Sequence, residues 1–367
     1  MGSGGGTVRS VEIRHASGQH LGVAVKDERG RILLAAGTSL TAGLCDALIR
    51  RGFLQVLVRD GIADDAIPQD ALSAETRQIA TQTARHCFDN LSQGDRPPLT
   101  AVMTAVDRIV EDLCESGNAV LEFSTLRSVS DYTYMHSVNV CVYALLIGQS
   151  LGVVGAELRC LGSGALLHDV GKILCADLCN KAGPLTAEDW VRVKQHPVDG
   201  FEMLRQHREL HLFAAHIAYQ HHERMDGSGY PRGLTGEQML PFARVVAVAD
   251  VFDAMTSDRP HARAKRPSEA MVAVREGSGP AFDPEVVRAF MRRIAIYPTG
   301  TPVLLADGTV AVVVDQSAES GQPIVRLLGR AGRRHRTEEQ VSAIGDRAIT
   351  EVLAQWPRWL DAAIATG

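Results

Sequence analysis

Hydrophobic residues recur at helical spacing through most of the chain, from Leu99 to about Ile296. Apolar side chains three or four residues apart place one face of a helix against a core, so this pattern predicts a succession of packed helices. The predicted helices cover residues 99–116, 131–151, 155–168, 186–196, 199–206, 209–223, 241–257, 268–276 and 283–296. The pattern therefore predicts a mainly α-helical core.

The first 65 residues follow a different pattern, in which short apolar runs alternate with turn residues. Residues 22–25 and 32–34 flank a polar turn and predict a hairpin, and residues 54–58 predict a further strand. Between them, Thr41 is a suitable N-cap for a short helix that ends near Arg51. We therefore expect a small mixed α/β module, whose role is docking or regulation because it holds no cluster of reactive side chains.

The C-terminal part, after Tyr297-Pro298, also has the pattern of a β structure. Residues 303–305 and 310–314 flank an Asp-Gly turn and predict a β-hairpin, and residues 324–328 predict a third strand. Together the patterns predict five segments. These are a flexible N-terminus (1–10), the α/β regulatory module (11–65), a connecting helix and linker (66–98), the helical domain (99–297) and a β-hairpin-containing extension (298–367).

Composition narrows the class of protein. The 367 residues include 45% apolar and 22% charged residues, as in ordinary globular domains, and the net charge of −5 argues against binding a nucleic acid polymer. The most apolar region, 138–167, contains Asn139, Glu157 and Arg159, which favours a buried helical hairpin over a membrane span. Seven dispersed cysteines without a Cys-x-x-Cys pair, and an opening without a signal peptide, predict a cytoplasmic location.

The segment His168-Asp169-Val170-Gly171-Lys172 is the first candidate for chemistry, because it follows directly on an apolar run. Buried ionisable groups are normally paired or bound to a metal. The Asp169 carboxylate can bridge two cations and the His168 imidazole can ligate one of them. Gly171 allows a tight turn, and Lys172 places a cation near an anionic substrate. A structural salt bridge near a helix end is the alternative.

Histidines are concentrated in the helical region, where nine of the thirteen lie between His136 and His261. Helical bundles build dinuclear metal sites from ligands on separate facing helices. Taken singly, His136 is more typical of a satisfied core or surface histidine than of a ligand, and His196 before Pro197 could simply end a helix. His207 and His211 are four residues apart, which suits an exposed helix face. The remaining candidates each lie on or beside a separate predicted helix: His136, His168-Asp169, His196, His221-His222 and Asp250.

Several motifs occur in a fixed order across this region. They are Tyr132-Thr133-Tyr134-Met135-His136-Ser137, the His-Asp-x-Gly-Lys segment, Lys194-Gln195-His196-Pro197, the run from His221 to Gly229-Tyr230-Pro231, residues 249–260 and Phe282-Asp283-Pro284. In these motifs the chain resembles the HD-GYP family, the bacterial branch of the HD metal-dependent phosphohydrolases that cleaves cyclic di-GMP. The resemblance implies an HD-type helical bundle and a phosphodiesterase that releases linear pGpG, and it leaves open whether hydrolysis continues to GMP.

The resemblance also implies a metal centre. Two divalent metal ions, iron or manganese with zinc, nickel and cobalt as alternatives, would share a bridging hydroxide and the Asp169 carboxylate. One metal would be completed by His136, His168 and Asp250, and the other by His196, His221 and His222. Asp169 and Lys172 would be catalytic, and the implied substrate contacts are Lys172, Gly229, Tyr230, Pro231, Arg259 and Arg263.

Two positions depart from the family pattern. Tyr132 stands where some members have a third-metal Glu, one helical turn before His136, so we expect two metals. Ala262 stands where the family usually has a second phosphate-binding cation, a loss for which Arg263 or Lys265 could compensate.

Three further interpretations stay open at this point. The chain could be a catalytically weak cyclic-dinucleotide sensor that acts through protein contacts, with signalling partners at the Gly-Tyr-Pro loop. It could also be an HD hydrolase for another cyclic dinucleotide. Helical spacing over residues 70–92 fits a connecting helix that contributes to a homodimer.

Overall fold

A computed structural model of the chain describes residues 9–26, 31–51, 53, 55–59, 71–116, 132–179, 181, 183–207, 209–257, 264–317, 321–330, 333–334 and 339–353. The chain divides into two compact units. One comprises residues 72–117 and 131–293, and the other comprises residues 1–71, 118–130 and 294–367.

The N-terminal segment of the second unit forms the predicted α/β module. Its strands are β1 (Arg9–Glu12), β2 (His20–Leu21), β3 (Val25–Lys26), β4 (Ile32–Leu34) and β5 (Gln55–Arg59), and its helix is α1 (Ala42–Arg50). Strands β3 and β4 pair as the predicted hairpin, and a separate antiparallel sheet has the order β1-β5-β2. Thr41 caps α1 as expected, since its side chain accepts a hydrogen bond from the Leu44 backbone amide.

The first unit is helical, which confirms the prediction of a mainly α fold. Its helices are α2 (Ala74–Ser92), α3 (Leu99–Glu115), α4 (Tyr132–Ser150), α5 (Gly155–Leu167), α6 (Ala176–Cys179), α7 (Ala187–Val193), α8 (His196–Leu204), α9 (Leu212–Gln220), α10 (Pro241–Thr256), α11 (Pro267–Glu276) and α12 (Pro284–Arg293). A 3-10 helix, Val170–Cys175, lies between α5 and α6.

Helix α4 is the centre of the helical unit. Its side chains are buried on all faces from His136 to Gly148, which is the behaviour of a helix without a polar side. It packs against α2, α5, α10 and α12. The α4–α5 pair is the buried hairpin predicted for residues 138–167. Within the described ranges, no helix combines the length and apolar character needed to cross a membrane.

Two boundaries differ from the sequence prediction around one candidate residue. Helix α7 ends at Val193, and His196 begins α8 instead of ending the preceding helix. Pro197 explains the difference, because proline is tolerated in the first turn, where its missing N–H would have no helical partner. The new boundary matters because it places His196 at the start of a helix that packs against the 3-10 helix.

The C-terminal segment contains the three predicted strands and more. Strands β6 (Pro302–Leu305), β7 (Thr309–Asp315) and β8 (Ile324–Arg330) form an antiparallel meander, as expected. Three further strands were missed: β9 (Arg333–Arg334), β10 (Gln340–Ser342) and β11 (Ile349–Val352). The last two flank the meander in the order β10-β8-β7-β6-β11, and β9 pairs with β8.

Candidate metal centre

The helical unit brings all seven predicted metal ligands together. Helix α4 supplies His136, α10 supplies Asp250, and α8 begins with His196. The others follow helix ends, because His168 caps the C-terminus of α5 and His221 that of α9. Their ligand atoms form two groups, each within 4.8 Å. The first ligand group is His136, His168 and Asp250, and the second ligand group is Asp169, His196, His221 and His222.

Asp169 lies between the two groups. Its Oδ2 is 3.5 Å from His136 Nε2 and 3.4 Å from His168 Nε2, both in the first ligand group. Its Oδ1 is 3.3 Å from His196 Nε2 and 3.6 Å from His221 Nε2, both in the second. Each carboxylate oxygen therefore faces a different group, which is the arrangement that a bridging ligand requires.

Backbone carbonyls hold three of the imidazoles in one orientation. The Nδ1 atoms of His168, His196 and His221 lie 2.8, 2.6 and 2.8 Å from the carbonyl oxygens three residues earlier, at Ala165, Val193 and Ala218. A carbonyl can only accept, so each Nδ1 carries the proton. The Nε2 lone pairs are consequently directed at the centre, where a metal would need them.

His136 is held by a carboxylate instead. Its Nδ1 lies 2.7 Å from Asp253 Oδ2, and Asp253 is fully buried. The other oxygen of Asp253 accepts a hydrogen bond from Asn139 Nδ2 at 2.9 Å, and Asn139 Oδ1 accepts one from Arg77 Nη1 at 3.2 Å. A hydrogen-bonded chain thus runs from α2 to the ligand. The sequence analysis gave Asp253 no role in the centre, although its position one turn after Asp250 was a usable signal.

The charges in the centre act differently on the two groups. Although burial opposes protonation, hydrogen bonds to Asp250 and Asp253 raise the pKa of His136 above its ordinary value. Burial lowers the pKa of His196 to about 4. Burial would raise the pKa of Asp169, but the neighbouring His168 and Lys172 hold it well below the usual range. Asp169 is therefore ionised, and His196 is a neutral ligand at pH 7.

The donor set fits divalent cations. His168 Nε2 and Asp169 Oδ1 are buried and make no hydrogen bond to the described residues. His196 Nε2 and His221 Nε2 are 3.2 Å apart, and both are acceptors because their protons are on Nδ1. Buried acceptors that face one another are costly unless a cation lies between them. Imidazole and carboxylate ligands without a thiolate are typical of iron, manganese and other divalent metals.

The 3-10 helix after Asp169 places Lys172 beside the same carboxylate. Lys172 Nζ is 2.6 Å from Asp169 Oδ2, and its side chain is 22% exposed, so the ammonium lies at the accessible edge of the centre. Gly171 is required by packing more than by a turn. A Cβ there would lie 2.0 Å from the His196 carbonyl oxygen and 2.6 Å from the Gly200 amide nitrogen, so only glycine lets this segment approach α8.

A loop after α9 carries the Gly-Tyr-Pro segment, and Glu223 fastens it. The Glu223 side chain is buried, and its two oxygens accept hydrogen bonds from the backbone amides of Arg232 at 2.8 Å and Leu234 at 2.9 Å. A Cβ at Gly229 would lie 2.4 Å from Glu223 Cα, so glycine is needed for this close approach. Sequence reasoning did not single out Glu223.

Comparison with known proteins agrees with these motifs. Residues 120–286 match the family described as HD domain. The chain is 39% identical over 289 residues to a Pseudomonas aeruginosa protein named cyclic di-GMP phosphodiesterase PA4108, covering 77% of this chain and 70% of that protein. The chain belongs to the HD-GYP family.

Two further relatives are named for different cyclic dinucleotides. The Xanthomonas campestris relative, named cyclic di-GMP phosphodiesterase response regulator RpfG, is 43% identical over 150 residues, or 40% of this chain and 39% of that protein. A Vibrio cholerae relative named 3'3'-cGAMP-specific phosphodiesterase 3 is 30% identical over 203 residues, or 55% of this chain and 43% of that protein. The chain thus spans less than half the length of these two HD-GYP relatives.

The Tyr230 ring of the HD-GYP loop lies against the second ligand group. It stacks on His222 with ring centroids 4.7 Å apart and an interplanar angle of 27°. Lys194 Nζ is 5.3 Å from the Tyr230 ring centroid, a cation–π distance, and the Tyr230–Pro231 peptide bond is cis. Lys194 is therefore a second cation near the centre, and sequence reasoning gave it no role.

Several HD-GYP positions lie outside the described residues. They are the predicted substrate contacts Arg259 and Arg263, Ala262, and the side chain of Tyr132. His207 and His211 belong to neither ligand group. His211 instead caps α9, since its Nδ1 accepts a hydrogen bond from the Phe213 amide at 3.2 Å.

Proposed function

We propose that this chain hydrolyses a phosphodiester bond of cyclic di-GMP to give linear pGpG, with onward hydrolysis to GMP left for the assay to decide. The observation that carries the proposal is the position of Asp169, whose two oxygens face two separate groups of buried ligands. Cyclic di-GMP is proposed as the substrate because the P. aeruginosa and X. campestris relatives are named cyclic di-GMP phosphodiesterases.

The two ligand groups would hold two divalent metal ions, for which iron or manganese suits the donor set best. When bound, such a pair supplies a nucleophile from water at neutral pH and neutralises charge on the phosphoryl group. His136, His168 and Asp250 would hold one metal, His196, His221 and His222 the other, and Asp169 both. Tyr132 in place of the third-metal Glu supports two metals per chain.

The protein's own groups orient the substrate. Lys172 would donate a hydrogen bond to a non-bridging phosphate oxygen, because its ammonium lies beside Asp169 and its side chain reaches solvent. Tyr230 is fixed on His222 and would contact the guanine, with Gly229 and Pro231 forming the adjacent backbone. Arg259 and Arg263 would contact the phosphates, as the HD-GYP resemblance implies. Glu223 keeps the loop in place and touches no reacting atom.

The test is a turnover assay on anaerobically reconstituted protein with cyclic di-GMP, 3'3'-cGAMP and cyclic di-AMP as separate substrates. We expect cyclic di-GMP to give the highest kcat/KM, with pGpG formed first, and Asp169→Ala to be inactive. Asp177→Ala, an exposed carboxylate paired with Arg192, is the matched control that should retain full activity. Preference for 3'3'-cGAMP would reassign the substrate, as the V. cholerae relative's name suggests.

The sensor interpretation has a distinct signature in the same experiment. A sensor would bind cyclic di-GMP without turnover after both metals are restored, and Ala262, which removes one phosphate-binding cation, favours it.

Signalling partners at the Gly-Tyr-Pro loop, a homodimer and a regulatory role for residues 11–65 stay predictions of the sequence. A cytoplasmic location is supported by the seven free cysteines.

A further inference from the structure

Two cysteines lie together beside the catalytic lysine. Cys175 is the last residue of the 3-10 helix and Cys179 is the last residue of α6. Their Sγ atoms are 3.9 Å apart. Cβ atoms four residues apart in a helix are about 5–6 Å apart, whereas a disulfide needs about 3.5–4.5 Å. The two thiols are therefore in contact, and a disulfide would form only by drawing the 3-10 helix and α6 closer together.

The two thiols differ in reactivity. Either sulfur can donate the hydrogen bond between them. With Cys175 as the donor, this bond lowers the pKa of Cys179 to about 7; burial opposes the effect and Lys172 adds to it. The same hydrogen bond, together with burial, raises the pKa of Cys175. Cys179 is also the more exposed of the two. Elsewhere burial raises the pKa of Cys87 to about 12 and that of Cys160 to about 11, which makes those thiols inert at neutral pH.

We propose that Cys179 and Cys175 are a peroxide-sensitive dithiol that closes to a disulfide beside Lys172. The Cys179 thiolate attacks one oxygen of hydrogen peroxide, the O–O bond breaks, and hydroxide leaves and is protonated to water. The sulfenic acid formed on Cys179 is then attacked by Cys175. The S–S bond forms, the S–O bond breaks, and the departing hydroxide takes the Cys175 proton as water. Two thiols lose two electrons and the peroxide is reduced to two waters.

The disulfide would act on the catalytic centre through the 3-10 helix. Residues three apart in such a helix lie on the same face, so Cys175 sits directly after Lys172 on one side of the turn. Closing the disulfide draws Cys175 toward α6, and the turn that positions the Lys172 ammonium moves with it. This consequence for turnover rests on the proposed phosphodiesterase function, whereas formation of the disulfide does not. A dithiol reductant would restore the original state.

Mass spectrometry tests the site directly on the full-length chain. Trypsin cleavage after Lys172 and Lys181 releases residues 173–181, which contain both cysteines and no other. After hydrogen peroxide treatment we expect this peptide to lose two hydrogen masses and to resist alkylation. The rate should rise with pH, with a midpoint below the ordinary thiol pKa of about 8.5, because the Cys179 thiolate is the attacking species.

Three variants make the assignment specific. Cys175→Ala should stop at a sulfenic acid that dimedone traps on Cys179, and Cys179→Ala should abolish the reaction. Cys114→Ala removes an exposed thiol elsewhere in the helical unit and should leave the reaction unchanged. The proposal is overturned if Cys175 and Cys179 both remain alkylatable under peroxide that modifies Cys114, or if Cys179→Ala is oxidised at the wild-type rate.

Measurements of turnover test whether the disulfide affects catalysis through Lys172. Oxidation should lower kcat by roughly 3- to 100-fold, because a displacement of about 1 Å in a positioned group can cost about 100-fold. Dithiothreitol should restore the rate. In Cys175→Ala, which cannot form the disulfide, peroxide should leave kcat unchanged. A disulfide that leaves kcat unchanged overturns the link to Lys172. A disulfide in a chain that never turns over substrate leaves the redox site standing and rejects the proposed function.

Discussion

The two ligand groups of the metal centre are built in different ways. In the first ligand group, the outer nitrogen of His136 is bound by the buried carboxylate of Asp253, which Asn139 and Arg77 hold in turn. In the second ligand group, His196 and His221 are held by backbone carbonyls one turn earlier in the chain. His168 of the first ligand group is also held by a backbone carbonyl, so the two groups differ at His136, which depends on side chains from three helices.

Because of this difference, we expect the two ligand groups to respond to different substitutions. Asp250 and Asp253 concentrate negative charge on the first ligand group and raise the pKa of His136, which favours a cation there. The second ligand group has mostly neutral imidazoles, and burial lowers the pKa of His196 to about 4. We therefore expect side-chain substitutions outside the ligands to weaken the first metal site selectively.

The largest effect is expected where the two halves meet. Asp169→Ala removes the carboxylate that faces both groups, so both metals should be lost and turnover should fall to background. Elemental analysis after gel filtration measures this. Asp177→Ala is the control, and retention of two metals with near-normal turnover would show that Asp169 does not bridge.

Lys172→Ala should damage chemistry while sparing both metals. The lysine contacts Asp169 without belonging to either ligand group, and loss of a charge-stabilising donor typically lowers kcat by about 10²- to 10³-fold. Steady-state kinetics on metal-loaded protein, with parallel elemental analysis, give the measurement. Loss of metal from this variant would mean that Lys172 supports the centre instead of the substrate.

The metal-free protein should lose stability in acid because of the second ligand group. The pKa of His196 is about 4 when folded, against 6.5 for an ordinary histidine, so only the unfolded chain binds its proton between these values. Its contribution to stability is complete above pH 6.5 and falls by on the order of 3 kcal/mol as the pH drops to about 4. Urea unfolding in the presence of a chelator tests this. His196→Gln should reduce the pH dependence, and an unchanged slope would contradict the assignment.

Asp253→Asn should weaken metal binding in the first ligand group and leave metal binding in the second unchanged. The substitution keeps the shape but weakens the acceptor for His136, and loss of such a partner usually costs about 10- to 100-fold in metal affinity. Competition with a graded series of chelators should show one weakened metal and one of wild-type affinity. Equal weakening of both metals would show that the halves are not independent.

Arg77→Met should give the smallest effect of the series. Arg77 is three hydrogen bonds away from His136, so we expect only a few-fold loss of affinity in the first ligand group, within about 1 kcal/mol for a neutral acceptor. Double-mutant analysis with Asp253→Asn is the decisive measurement. Additive effects would mean that Arg77 acts outside the chain through Asn139 and Asp253.

The sequence alone predicted the metal ligands, but it did not predict the residues that hold those ligands in place. The seven candidate ligands stood out because histidines and aspartates interrupted apolar helical patterns, and those patterns also predicted the helices. Glu223 and Lys194 were not recognised, because local spacing does not reveal their partners. Asp253 was missed although its position one turn after Asp250 places it on the same helix face. Gly171 shows the same limit, since its requirement arises from the approach of α8. Hydrophobic spacing also placed the start of α8 at residue 199, whereas the helix begins at His196 with Pro197 in its first turn.

The helix ends at His168 and His221 have a consequence for the order of binding. These residues close the C-termini of α5 and α9, where the aligned peptide dipoles leave partial negative charge, about half an elementary charge at each end. The carboxylates of Asp169, Asp250 and Asp253 add to this charge. Together they outweigh the positive charge of Lys172 and of His136, whose pKa is raised, so without metal the centre has a negative potential. Such a potential attracts divalent cations and repels a cyclic dinucleotide, which carries two negative phosphates. Metal loading must therefore precede substrate capture, and the apoprotein should have little affinity for the nucleotide.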